Sequence, residues 1–218
     1  MRAAIVRQNA NMRSGRRGFL QLILGAGAAL AAPAVLADET PAATLIAAAR
    51  GQIGVTLIYD PSYQRLAYPG GDIDRLHGVC ADVIVRAYRD ALALDLQELM
   101  HRDMKSNFAA YPATWGLDQP DRNIDHRRVP NIETFLKRQG AQLWRNGGGV
   151  NNGAAFPEPL QTGDIVTWRL SGRLPHIAFI GETGDAPTVI HNIGWGAREE
   201  PLERLAPHLP IAHFRWIG

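Results

Sequence analysis

Of the 218 residues in this chain, one is a cysteine, Cys80, and seven are histidines. A thiolate nucleophile needs a base that takes and returns a proton near neutral pH, and imidazole meets that need. A further polar group must then hold the imidazole in one tautomer. His176 and His191 suit these two roles; a strand-edge histidine bonded to backbone and a partly buried polar residue at a strand end are the competing readings. His176 follows Pro175 and opens the apolar run Ile177-Ala178-Phe179-Ile180; His191 closes Thr188-Val189-Ile190 fifteen residues later. Zinc is the other use of such groups. His77, Cys80, His176 and His191 lack the short paired spacings of a zinc site, so no metal is expected, and no cofactor is required.

Helical spacing of apolar residues at 83, 84, 87, 88 and 91 predicts an amphipathic helix with Cys80 in its first turn, entered through Gly78. Free N–H groups and the positive end of the helix dipole gather at that tip, which favours a thiolate. A small buried hydrophobe is the competing role for a lone cysteine. Before this helix come an alanine-rich helix, Ala43 to Arg50, and a β-prone segment, Ile53 to Tyr59. After it, Asp95 is placed to cap a second helix carrying Leu96, Leu99, Met100 and Met104, with Glu98 completing a capping box. Asn131 is placed to cap a third helix with Ile132, Phe135 and Leu136, stopped at Gly140.

Strands are predicted at Asp164–Trp168, His176–Ile180, Thr188–His191 and Ala212–Ile217. If the second and third pair antiparallel through the loop around Gly184, the two histidines stand side by side. Helices first and strands last describe an α+β fold with an antiparallel sheet.

The stretch Asp121–Arg128 has Asp121, Asn123 and Asp125 at alternate positions, like the opening of a calcium loop. Its sixth position is His126 instead of glycine and its twelfth is Ile132 instead of glutamate, which excludes that motif. Arg127 and Arg128, with His126, either meet a substrate carboxylate or belong to an internal network pinning a long loop. Trp115 and Trp195 are suited to line a groove, or to be core aromatics with a polar handle.

Ser14-Gly15-Arg16-Arg17-Gly18-Phe19-Leu20, the apolar run to Leu30 and Val35-Leu36-Ala37 predict a twin-arginine export signal cleaved after Ala37, and a periplasmic protein. The run is too short and too rich in Gly and Ala for a comfortable span, so no stable membrane span is expected of the mature form. Residues 1–37 hold five of the 23 basic residues and no acids. Residues 38–218 therefore carry 18 basic against 21 acidic residues, a net charge of −3. No basic cluster interleaved with aromatics survives, which argues against nucleic acid as a partner. The length of 38–218 fits one domain, and one cysteine excludes an internal disulfide.

Tyr68-Pro69-Gly70-Gly71, Cys80 at a helix start, Gly163-Asp164-Ile165-Val166, His176-Ile177-Ala178-Phe179-Ile180-Gly181 and Val189-Ile190-His191 resemble the NlpC-type cysteine peptidases. That resemblance implies a papain-like fold and cleavage of peptide bonds in peptidoglycan stems. It also implies roles: Cys80 as nucleophile, His176 as base, His191 orienting His176, and Tyr68 beside an oxyanion site to which the Cys80 N–H contributes. Where that family usually has Asp-Cys-Ser, this chain has Val79-Cys80-Ala81. More closely, Tyr68-Pro69-Gly70-Gly71-Asp72, Asp121–Arg128 and Leu174-Pro175-His176 resemble an exported bacterial family known as domain of unknown function 1287. The expected substrate is peptidoglycan or a peptide, bound with help from Tyr68, His126, Arg127, Arg128 and Trp195. Acyl transfer on the same fold, or a non-catalytic module binding the wall or a partner, are the competing functions.

Overall fold

The computed structural model describes residues 40–148 and 152–218; the export signal expected at residues 1–37 lies outside them. In chain order the elements are α1 (Pro41–Arg50), β1 (Ile58–Tyr59), β2 (His77–Gly78), α2 (Cys80–Leu92), α3 (Leu96–Asn107), α4 (Val129–Arg138), β3 (Gln142–Arg145), β4 (Ile165–Leu170), β5 (Leu174–Ile180), β6 (Thr188–Asn192), β7 (Ala197–Pro201) and β8 (Leu209–Phe214). The class is α+β. The large sheet runs β3-β8-β4-β5-β6-β7 and every neighbouring pair in it is antiparallel.

Local chemistry sets the helix starts. Thr40 caps α1, its hydroxyl accepting the Ala43 N–H, and Pro41 stands where no N–H is needed. Asp95 caps α3 as its sequence position predicts, accepting the Gln97 N–H. The third predicted helix starts earlier than expected: α4 begins at Val129 with Pro130 in its first turn, and Asn131 lies inside it. Proline's fixed φ nucleates the turn there without a side-chain cap. The β-prone run at 53–59 forms a strand only at Ile58–Tyr59, because turns and the β2 contact take up its other N–H groups.

Helix α2 is the centre of the domain. Every residue from Cys80 to Tyr88 is buried, including Asp82 and Arg86. Leu45 and Ile46 of α1, Val83, Ile84 and Tyr88 of α2, and Ile177, Phe179, Ile190 and Phe214 of the sheet form the main core. Successive strand residues point to opposite faces, so Ala178, Ile180 and Val189 enter a smaller core with Val166, Trp168, Leu202 and Leu205. Gly78, two residues before Cys80, leaves little room for a side chain. A Cβ there would sit 3.0 Å from Thr56 Cγ2 and 3.1 Å from Arg86 Nη1. The reason for glycine at this entry is close packing.

Candidate active site at the tip of the cysteine helix

Cys80 is the first residue of α2 and is 3% exposed. It forms part of the wall of a cavity of about 460 Å³, shared with Tyr59, Trp115, Arg128, Leu174 and Pro175. Burial pushes its thiol up to about 11, against the backbone N–H of Ile177 and, more weakly, those of Ala81 and Cys80, while Asp82 adds to the rise. This corrects the expectation that the helix tip favours a thiolate. Desolvation exceeds the helix contribution, and the tip is already neutralised by Asp82, whose carboxylate accepts the Val79 N–H at 2.7 Å. The resting group is a neutral thiol.

The histidines meet as the hairpin predicts. His176 Nε2 lies 2.9 Å from His191 Nδ1, and His191 Nε2 lies 3.1 Å from Glu200 Oε2. Glu200 on β7 stands opposite Val189 on β6, so its side chain shares a face with His191. The order of protons follows from the carboxylate, which can only accept. His191 therefore donates from Nε2, its bare Nδ1 accepts, and His176 donates from Nε2. That leaves His176 Nδ1 with a lone pair, the state a general base needs.

His176 packs against its cross-strand partner Trp168, ring centroids 6.2 Å apart, on the sheet face opposite the main body of α2. Strands β5 and β6 pair only at Phe179–Ile190 and Ile180–Val189. The N-terminal half of β5 is therefore unpaired on the β6 side, where the tip of α2 arrives and Asn192 Nδ2 donates to the Gly78 carbonyl at 3.0 Å. The sulfur is stabilised by the N–H of Ile177, the residue next to His176. The thiol thus meets β5 at the backbone of Ile177, one residue from His176, whose ring packs on Trp168 and His191.

Three of the other predicted site residues are elsewhere. Tyr68 stacks edge-on against His101 of α3 with its ring 5.0 Å away and Arg122 on its face, apart from the thiol cavity. Tyr59 occupies the thiol side instead; burial, then the neighbouring Cys80 and Asp82, push its phenol up. His126 is buried away from the cavity wall, and Trp195 is 76% exposed on the β6–β7 loop, so neither lines the cavity. His101 and Arg122 hold the Tyr68 ring, while the Trp195 ring stays in solvent. Arg127 touches the cavity but is committed to the fold. Its Nε and Nη2 both lie 2.9 Å from Asp82, and its remaining donors hold the carbonyls of Ser62 and Asp60. Arg128 is the cation at the cavity: it stacks 4.1 Å over Trp115 and donates to Asp125 at 2.9 Å. The Asp121–Arg128 stretch is largely the internal network. Asp125 accepts the Asp121 N–H, and Asn123 accepts the Leu66 N–H.

Sequence reasoning missed Tyr59 and Glu200. Glu200 lies within a charged run, Arg198-Glu199-Glu200, and is placed opposite Val189 only once β7 pairs with β6.

Burial lowers the basicity of His126 to about 4, with Arg127 and Arg89 adding to the effect, and lowers His176 and His191 as well. Each binds fewer protons folded than unfolded. Their contribution to stability is complete above the unfolded value of about 6.5 and falls as pH drops below it. For His126 the loss runs from there down to about 4, at about 1.4 kcal/mol per pH unit. His126→Gln is expected to flatten urea-derived stability against pH in this window by that slope. Unchanged slopes would show that His126 is protonated in the folded state.

A family model described as domain of unknown function DUF1287 matches residues 46–216. The chain is 46% identical over 172 residues to the uncharacterized protein YijF of Escherichia coli (strain K12), an alignment covering 78% of each chain. No solved structure matches it.

Proposed function

The chain belongs to the DUF1287 family, and we propose that it is a thiol hydrolase that cleaves an amide bond in peptidoglycan stem peptides. The observation that carries this reading is the ordered chain His176–His191–Glu200, which leaves His176 a base nitrogen one residue from Ile177, whose backbone N–H faces the Cys80 sulfur. A helix-tip cysteine against an antiparallel sheet with paired histidines supports the papain-like, NlpC-type version of the α+β fold. The twin-arginine segment supports export and action in the periplasm.

The thiol begins neutral, so proton transfer accompanies attack. Cys80 gives its proton to His176 Nδ1 as the sulfur bonds to the substrate carbonyl carbon. The carbonyl oxygen becomes an oxyanion, with the Cys80 N–H as one donor and the Tyr59 hydroxyl placed to be another. His176 returns the proton to the leaving nitrogen, the C–N bond breaks and a thioester remains. Water, deprotonated by His176, cleaves the thioester and regenerates the thiol. Glu200, through His191, stabilises the imidazolium formed in each half.

Digestion of purified sacculi with wild-type protein and with Cys80→Ala tests the reading. Mass analysis is expected to show soluble fragments with new amino and carboxyl termini from the wild type alone. Identical profiles for wild type, variant and buffer overturn it.

A further inference from the structure

The thiol cavity adjoins another. Pro130 and Pro175 wall both it and a neighbouring cavity of about 490 Å³, bounded by Glu133, Lys137, Arg145 and Arg169. Residues 130, 133, 134 and 137 fall on one face of α4 at three- and four-residue spacing. Arg145 comes from β3 and Arg169 from β4. Glu133 is buried, and Arg169 donates to its two oxygens at 3.0 and 3.3 Å while Arg145 Nη1 lies 3.4 Å away. One carboxylate thus holds two guanidinium groups. Lys137 adds a third cation and makes no ion pair among the described residues.

The wall therefore carries a net charge of +2 in a domain whose residues 38–218 sum to −3. A single arginine would suffice to neutralise Glu133. The excess is concentrated in a concave site, where surrounding low-dielectric walls strengthen its field. Arg145 keeps 45% of its side chain exposed, leaving donors free to fork onto an incoming carboxylate.

We propose that this basic cavity binds a carboxylate on the substrate whose amide reaches Cys80, which makes the substrate an acidic peptide. The proposal rests on the thiol-hydrolase reading for the reacting end of that molecule. The carboxylate subsite itself stands on the cavity.

The test uses a soluble stem-peptide fragment released from sacculi, with its carboxylates free or converted to carboxamides. Affinity is measured by calorimetry with Cys80→Ala protein, so that turnover does not intervene. The free acid is expected to bind about tenfold more tightly than the carboxamide, the scale of one charge-assisted contact. In a background that also carries Lys137→Gln and Arg145→Gln, that ratio is expected to fall towards one. Equal affinity of Cys80→Ala for both forms, including no binding of either, overturns the subsite. So does a ratio that survives in the charge variant, which would pass the role to Arg128. Wild-type turnover of the same fragment is followed separately. Cleavage with no acid preference refutes the subsite alone, and acid-selective binding with no cleavage refutes the hydrolase alone.

Discussion

Glu200→Gln is expected to lower kcat/KM for amide cleavage about a hundredfold or more, with the fold intact. Glutamine keeps the shape but can present an N–H to His191 Nε2. Arg198, 3.6 Å from the other carboxylate oxygen, draws the amide oxygen to itself and favours that orientation. His191 must then carry its proton on Nδ1 and donate to His176 Nε2. The His176 proton moves to Nδ1, and the thiol meets a donor where it needs a lone pair. The negative charge that stabilises the imidazolium is lost as well. Glu200 acts through His191 and is a positioning residue, so rate alone is an incomplete readout. Nitrogen-15 NMR of the imidazoles is expected to show both Nε2-protonated in the wild type and both Nδ1-protonated in the variant. Since Glu200 raises the His191 pKa against burial, its removal is expected to move the acid limb of the rate profile to lower pH. An unchanged tautomer with an unchanged rate would dismiss the relay.

The second large effect is on stability. Arg127→Leu removes a guanidinium whose side chain is 2% exposed from an Asp82 side chain that is 4% exposed. Asp82 then keeps the Val79 N–H but loses both charged bonds, and the carbonyls of Asp60 and Ser62 lose their donors. Stranding a buried charge costs about 3–5 kcal/mol, on the order of 10 °C in melting temperature for a domain this size. Adding Asp82→Asn removes the stranded charge and is expected to recover part of that loss. Thermal and urea unfolding of the single and double variants measure both numbers. A loss below about 1 kcal/mol, the ordinary value of an exposed pair, would mean that water reaches Asp82. The same substitution loosens the 60–62 segment beside Tyr59, so damage to stability and to the thiol cavity is expected together.

The residue order of the site was readable without coordinates because its signals are local. A cysteine two residues after glycine, followed by apolar residues at helical spacing, specifies a helix tip. Two apolar runs joined by a turn specify a hairpin, and a histidine at the start of one and the end of the other brings the pair together, now seen at 2.9 Å. Strands β3 and β7 were missed. Gln142–Arg145 and Ala197–Pro201 are short and polar, and neighbouring strands hold them where their own patterns do not.

Sequence alone determined the α+β class, the helix at Cys80, the pairing of His176 with His191 and the exclusion of a calcium loop, because each depends on short-range spacing. Tertiary structure decided that the thiol is neutral, that Tyr59 stands beside it in place of Tyr68, and that Arg127 belongs to Asp82. It also brought Glu200 to the end of the histidine chain. Those outcomes depend on desolvation and on which charges share a buried volume. Both are sums over residues far apart in the chain, and the pattern around any one residue does not contain them.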